Sequence, residues 1–479
     1  MIHTPLLTQP SRVAGFNRFL RSPAYILSVS LAILLSSVFA WDIPLYTLLA
    51  ALCCAICLYG DDLLPLTPII TQIHMSFSMN NNPGANPTPV FSLKRWGIYL
   101  IIIVAVAVGC LVYRMVTDKR FGGKSFWKKK RLLLSGMLVL AAGYVLGGSF
   151  SAAWKWGYIV RKSILFSLLQ LVVIAAPYYL MTGFVDWEKA PRNYLLWVGM
   201  GMAGLVFFQV FHIYIAKDVM VNGAIMREEI ANGWGMRNNI GGMLAMMIPC
   251  VCYLGVRHKK EWLGLLLGAL LLGAIVMTTS RSSLLFGCLI WAVCLLLYLH
   301  RVLSRRAMWG LFAVGLLCVI GGIVALWGNL TELALKLLGL DNVLDPNSRT
   351  VLYAEGFKQF LRYPVFGGSF FPIGYTPYDW STVDSFSGIF PPRWHNTVIQ
   401  LLASTGVVGL CTYGFHRFQT VALFLKKRTK ENLYLALSIA VLLLTSMLDC
   451  HFFNFGPVLF YSIALAFIES TPDETRKNL

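Results

Sequence analysis

Long apolar segments recur along almost the whole chain, and they restrict its fold more than any other feature of the sequence. Hydrophobic residues make up 57% of the chain and charged residues 13%, and the mean hydropathy is +0.67. A stretch of about 20 apolar residues is long enough to cross a bilayer as a helix. The composition therefore excludes a soluble protein and predicts an all-α, polytopic integral membrane protein.

About 14 segments are apolar enough to be transmembrane helices. They lie near residues 23–40, 45–59, 62–79, 96–116, 132–150, 163–182, 193–215, 239–256, 261–279, 283–299, 308–327, 396–415, 431–448 and 452–469. The second and third segments are short and interrupted. The alternative for one of these two, within residues 45–79, is a re-entrant segment that does not cross the membrane, so we expect about 12 to 14 transmembrane helices. The predicted organisation is transmembrane helices in residues 1–327, an extracytoplasmic loop with short helices in 328–395, and further transmembrane helices with a cytoplasmic tail in 396–479.

The basic residues fall mainly on one side of the membrane when the N-terminus is placed in the cytoplasm. Connections such as 119–131 and 417–430 are then inside, as the positive-inside rule requires. This distribution explains the formal charge of +19 without nucleic acid as a partner. Both termini are predicted to be cytoplasmic, and the loop 328–395 is predicted to lie on the outer side.

Two arginines on the outer side occupy the same kind of position. Arg281 and Arg349 each lie in the predicted first turn of a helix, beside residues that favour N-caps. A cation is unfavourable there because the helix dipole already places positive partial charge at that end. Free backbone N–H groups and guanidinium forks together suit a phosphate or diphosphate. The alternatives are snorkelling of Arg281 at the interface and an ion pair between Arg349 and Glu355.

His395 lies at the predicted start of the helix 396–415, also on the outer side. A helix N-terminus disfavours imidazolium, so the ring should remain neutral and able to accept a proton as a general base. The alternative is an interfacial histidine bonded to a loop carbonyl. His451 is also external, and we rank it behind His395.

Other polar and aromatic residues are candidate ligands for phosphate or sugar. Arg237 and Asn238 begin a third helix from the outer side. Asp384 could hydrogen-bond sugar hydroxyls, and the face of Trp394 suits stacking on a pyranose ring, although aromatic residues at this depth also form interfacial belts. We find no metal-ligand spacing, no nucleotide-binding Gly-rich loop and no Gly-x-Ser-x-Gly motif, so no metal or other cofactor is expected.

Three stretches resemble motifs of the O-antigen ligase and O-antigen polymerase superfamily of bacterial membrane glycosyltransferases. Residues 279–284 (Thr-Ser-Arg-Ser-Ser-Leu) resemble its Ser-Arg turn. Residues 348–367 resemble its Arg-helix-Pro-x-x-Gly segment, and residues 395–410 resemble its His-Asn…Gly-x-x-Gly helix. The motifs are short, but they occur in the expected order and on the expected side of the membrane.

The resemblance implies a glycan donor on a lipid carrier, typically undecaprenyl diphosphate, and an acceptor hydroxyl on a glycan, lipid or protein. It implies transfer without a metal at the outer face of the bacterial cytoplasmic (inner) membrane. If the matching positions have the roles that the family's motifs imply, Arg281 and Arg349 hold the diphosphate and His395 activates the acceptor. Asn396 belongs to the same motif as His395. A ligase, as in lipopolysaccharide assembly, and a polymerase of surface polysaccharide share this donor chemistry, and the sequence does not separate them.

A flippase for lipid-linked oligosaccharide is the alternative from another class of protein. A flippase should carry ionisable groups near mid-membrane and show related halves. Here the candidate residues cluster on one side, and no internal repeat is evident in the sequence. A third hypothesis is that the protein is a non-catalytic scaffold for polysaccharide export, and the set of three motifs disfavours it.

Overall fold

The computed structural model describes residues 11–76, 93–118, 131–150, 158–217, 219–221, 224–232, 234–304, 306–307, 310, 349–370 and 394–471. This part of the chain is almost entirely helical. The helices are α1 (Ser11–Leu20), α2 (Pro23–Phe39), α3 (Asp42–Tyr59), α4 (Thr67–Gln72), α5 (Leu93–Thr117), α6 (Leu132–Phe150), α7 (Tyr158–Phe184), α8 (Tyr194–Ala216), α9 (Arg237–Arg257), α10 (Glu261–Met277), α11 (Arg281–Val302), α12 (Arg349–Arg362), α13 (Thr397–Lys426), α14 (Lys430–Thr445) and α15 (Phe455–Ser470). Two antiparallel hairpins lie between α8 and α9: β1 (Met220–Val221) with β2 (Ala224–Ile225), and β3 (Ala231–Asn232) with β4 (Gly235–Met236).

The predicted all-α membrane fold is confirmed. Six described helices are long and apolar enough to cross a membrane, or seven if α1 and α2, which are bent by 70°, act as one span. Other helices that coincide with predicted spans, such as α10 and α15, are shorter, so the expectation of 12 to 14 crossings stays a prediction. The predicted span 308–327 lies outside the described residues apart from Gly310, and the boundaries of the long loop also stay predictions.

The third predicted span is broken into short pieces. Residues 64–76 form α4 between two 3-10 turns, and none of these pieces is longer than six residues. Side chains of neighbouring helices hold the backbone: Tyr25 Oη donates to Pro65 O at 2.7 Å, and Gln209 Nε2 donates to Met75 O at 2.8 Å. Irregular backbone at membrane depth needs such partners because lipid offers none. The segment therefore lies inside the protein.

Helix α9 lies at the centre of the bundle. It contacts α8, α10, α11 and α14, and every residue from Ile240 to Gly255 is buried. A Cβ on Gly255 would lie 2.8 Å from the Cα of Gly264 in α10. Small residues let helix backbones approach closely enough in a membrane for dispersion forces to hold them. Helix α9 is therefore packed closely against its neighbours.

Helix α13 is interrupted at Gly406, whose φ of 65° and ψ of −160° are not helical. Residues 364–369 fill the break. Backbone hydrogen bonds join the two segments: Val407 N to Pro364 O (2.8 Å), Val408 N to Val365 O (3.2 Å), Gly368 N to Ala403 O (2.7 Å) and Ser369 N to Ser404 O (3.2 Å). A Cβ on Gly406 would overlap the Val365 carbonyl, so this close approach requires glycine. The Pro-x-x-Gly and Gly-x-x-Gly motifs therefore dock on each other.

Candidate active site

The three arginines selected from the sequence each begin a helix. Arg237 is the first residue of α9, Arg281 of α11 and Arg349 of α12. All three residues are partly buried. These positions agree with the predicted helix starts, where backbone N–H groups lack helical acceptors and the helix dipole favours an anion.

The starts of α9 and α11 pack directly on each other. A Cβ on Gly241 would lie 2.9 Å from Ser280 Cβ and 2.9 Å from Thr278 Oγ1. The absence of a side chain at position 241 thus lets the Ser-Arg turn rest on α9. As a result, Arg281 begins its helix beside the helix that starts with Arg237.

His395 contacts an acidic residue from the turn after α14. Its Nδ1 lies 3.1 Å from Asp449 Oδ1, and 37% of the His395 side chain is accessible, against 6% for Asp449. The backbone of His395 has a left-handed φ of 52°, which is about 1–2 kcal/mol unfavourable for an L-residue. Tyr353 Oη donates to the His395 carbonyl at 3.2 Å and supports this conformation. One edge of the imidazole is thus fixed on a buried carboxylate while the ring remains accessible.

The Asp449 carboxyl is ionised despite its burial. Burial by itself would raise its pKa, but the charge of His395 and the hydrogen bond with it, with further effects from the charges of His451 and Arg349, bring the pKa well below its usual range. Tyr353 of α12 is bonded to the His395 backbone, so the first turns of α12 lie near the His395–Asp449 contact. The carboxylate can bind the Nδ1–H group of either form of the ring, and in the neutral form this assigns the hydrogen to Nδ1 and leaves Nε2 free to accept a proton. A general base needs this form.

His451 connects this pair to the start of α9. A Cβ on Gly242 would lie 3.0 Å from His451 Nε2, so the imidazole packs directly on the α9 backbone. Asn454 Nδ2 lies 3.4 Å from His451 Nδ1 and donates to Asn239 Oδ1 at 2.8 Å. The turn 449–454 therefore carries the histidine–aspartate contact and is also tied to α9. It brings this pair and the arginine-bearing helix starts to the same end of the bundle.

Asn396 and Trp394 have structural contacts of their own. Asn396 is the N-cap of α13, and its Oδ1 accepts from the backbone N–H groups of Val398 and Ile399. Trp394 is 2% exposed and packs in a small cluster with Leu352 and Ile399. Capping occupies the Asn396 oxygen, and packing covers the Trp394 ring. Substrate binding by either residue stays a prediction.

The two remaining predicted ligands are less defined. Asn238 is the second residue of α9 and is partly buried, and Asp384 lies outside the described residues. Their roles stay predictions. Within the described ranges, no group of three or more His, Cys, Asp or Glu side chains could hold a metal ion.

Sequence reasoning missed Asp449 and Tyr353 as partners of His395. Asp449 is 54 residues away from His395 along the chain. Its position between two apolar spans was a usable signal, because an acidic residue at such a point is usually functional or paired. The sequence contained nothing to show which histidine it would meet.

The fold and the site define a polytopic helical membrane protein in which arginine-bearing helix starts and a histidine–aspartate pair share one end of the bundle. Residues 266–414 match the protein family described as "O-Antigen ligase". This region is therefore an O-antigen ligase domain, and the resemblance to the O-antigen ligase and polymerase superfamily is confirmed. The domain contains Arg281, Arg349 and His395, whereas Asp449 lies beyond it. A search of curated proteins gave no match.

The packing of the Ser-Arg turn on α9 predicts a stability effect. Gly241→Ala should destabilise the protein by about 1–3 kcal/mol, because the new Cβ forces the short Ser280 and Thr278 side chains to move. Thermal unfolding of the detergent-solubilised protein measures this. Gly273→Ala in α10 is the control, since no described atom lies within 4 Å of the place that its new Cβ would occupy, and it should be neutral or stabilising. Equal unfolding temperatures for the two variants would contradict the close contact.

Proposed function

We propose that this protein is a membrane glycosyltransferase that moves a glycan from a polyprenyl-diphosphate carrier to an acceptor hydroxyl. The observation that carries the proposal is the 3.1 Å contact between His395 Nδ1 and Asp449 Oδ1, formed by a histidine of the O-antigen ligase domain. An imidazole oriented by a carboxylate, close to arginine-bearing helix starts, suits activation of a hydroxyl next to an anionic leaving group.

The diphosphate of the donor would bind at the starts of α11 and α12. Arg281 and Arg349 would each offer two N–H donors to phosphate oxygens, and the backbone N–H groups and dipoles of both helices would add to the attraction. Arg237, at the start of α9, would extend the same positive region. These groups offset the negative charge that grows on the diphosphate as it departs, and a diphosphate leaves without needing a proton.

His395 would activate the acceptor. The acceptor oxygen attacks the anomeric carbon, its proton passes to Nε2 of His395, and the bond between the anomeric carbon and the diphosphate oxygen breaks. Attack from the face opposite the leaving group inverts the configuration. Asp449 stabilises the imidazolium that forms, and that proton is then released to water.

The side of the membrane on which the reaction takes place can be tested with a cysteine in the long loop. The charge distribution of the sequence supports an outer location. In a background without the 11 native cysteines, Ser385→Cys should react with an impermeant maleimide added to intact cells. Arg428→Cys is the control and should react only after permeabilisation. Labelling of position 385 only from the cytoplasm would contradict the proposed topology.

A reconstituted assay tests the activity itself. Purified protein in liposomes receives a polyprenyl-diphosphate oligosaccharide and a panel of glycan, lipid and protein acceptors, and release of polyprenyl diphosphate is followed. Acceptor-dependent release supports the transferase, and the acceptor consumed distinguishes a ligase from a polymerase. Movement of intact donor across the bilayer without release would instead identify a flippase.

A further inference from the structure

Two side chains in the broken segment 64–76 have buried polar atoms without a hydrogen-bond partner among the described residues. Gln72 is 0% exposed, and neither its amide oxygen nor its amide nitrogen is bonded. Both ring nitrogens of His74 are also enclosed and unbonded. Buried polar atoms in native proteins almost always have a partner, and lipid cannot supply one. The four atoms therefore indicate a missing polar partner at this position.

His74 adjoins the candidate active site. A Cβ on Gly456, near the start of α15, would overlap Nε2 of His74, so the imidazole lies directly against the backbone there. Gly456 is two residues after Asn454, which is bonded to α9. On another side, the Trp234 ring lies edge-on to His74 with ring centroids 5.9 Å apart, and Trp234 is three residues before Arg237. Both neighbours of His74 thus belong to segments that lead into the site.

The chemistry of the pair selects a neutral ligand. Both ring nitrogens of His74 are enclosed at membrane depth and have no described hydrogen-bond partner, and an unpaired imidazolium would be costly there, so the neutral imidazole is favoured. A neutral imidazole and an amide each offer a donor and an acceptor, as a hydroxyl group does. A diphosphate only accepts hydrogen bonds and is attracted to cations, which neither side chain supplies. Carbohydrate hydroxyls therefore match this pair, whereas the diphosphate matches the arginines.

We infer that Gln72 and His74 form a glycan subsite that binds hydroxyl groups of the carbohydrate part of a substrate next to the diphosphate site. The identity of the substrate rests on the proposed function. The subsite explains why the third apolar segment is broken: a continuous helix would lack the irregular turn that carries His74 to the start of α15. Broken helices buried in membrane proteins commonly form such ligand sites.

The test measures glycan binding separately from glycan transfer. Full-length protein in nanodiscs is titrated with the free oligosaccharide, released from its polyprenyl diphosphate, and Kd is followed by ligand-observed NMR. Gln72→Leu and His74→Leu should each weaken binding about tenfold, as expected for the loss of a hydrogen bond to a buried group, and should raise KM more than they lower kcat. His212→Leu is the control, because it removes a histidine of α8 whose Nε2 is also buried without a bond, and its Kd should equal that of wild type.

A polar variant covers the case in which the leucine variants do not fold. His74→Gln keeps a donor and an acceptor in shifted positions and should weaken binding by about threefold. A wild-type Kd in this variant and in the folded leucine variants would overturn the inference and assign the two side chains to structural water. Failure of wild type to bind the oligosaccharide would overturn it as well. Binding that depends on His74 without any transfer would refute the proposed function and retain the subsite.

Discussion

His395→Ala is expected to lower the rate of glycan transfer by about a thousandfold, the usual scale for removing a general base. The side chain is partly exposed, and its one described side-chain hydrogen bond is with Asp449, so the protein should still insert and fold. Release of polyprenyl diphosphate in the reconstituted assay, alongside thermal unfolding, measures both effects. Transfer at the wild-type rate would remove the general-base role.

Two further variants make the test of His395 more specific. His395→Asn is the control for the backbone, because asparagine tolerates the left-handed φ of 52° better than alanine does; it should be as inactive as the alanine variant. Asp449→Asn removes the negative charge that fixes the tautomer and should lower transfer by about a hundredfold or more. Full activity of Asp449→Asn would mean that the histidine works without this orientation.

Arg281→Lys and Arg349→Lys are expected to lower kcat/KM about a hundredfold each, although both retain the positive charge. Lysine loses the planar fork that binds a diphosphate with two parallel hydrogen bonds. At a transition state that concentrates charge on the leaving group, donors of this kind are worth about 2–4 kcal/mol. Kinetics with the polyprenyl-diphosphate donor measure the effect.

The matched control lies on the same helix as Arg349. Arg362→Lys changes an exposed arginine in the last turn of α12, away from the helix start. It should leave kcat/KM within about twofold of wild type. Near-normal activity in both test variants would mean that the diphosphate is bound elsewhere, and loss of activity in the control would indicate general sensitivity of α12.

The sequence predicted most of the elements that depend on local signals. Apolar runs marked α9 and α11, and the Ser, Asn and Arg residues before them marked their first turns. These signals act within one or two turns of helix, because capping and hydropathy are properties of neighbouring residues. The starts at Arg237, Arg281 and Arg349 were therefore predictable.

Features that depend on distant residues were not predictable in the same way. The span predicted for 396–415 continues in the structure to Lys426. Arg417, which the sequence placed in a cytoplasmic connection, lies inside this helix with its guanidinium 4.3–4.8 Å from three aromatic ring centroids. Such rings stabilise a buried cation, but they come from α13 (Tyr413), the turn after α14 (Phe452) and α15 (Tyr461). Neither the hydropathy nor the spacing of these residues in the sequence predicts that the rings surround Arg417.

The break at Gly406 should restrict which sequence exchanges this region of the protein tolerates. Carbonyl and N–H groups at the break are bonded by residues 364–369, and Gln359 Nε2 also donates to the Ala403 carbonyl at 2.9 Å. A chimera that took one segment from a relative with a side chain at position 406, but not the other, would separate the segments and leave unbonded backbone within the bundle. The two segments should therefore be inherited and exchanged as a unit, and random recombination between positions 370 and 400 should yield few folded proteins.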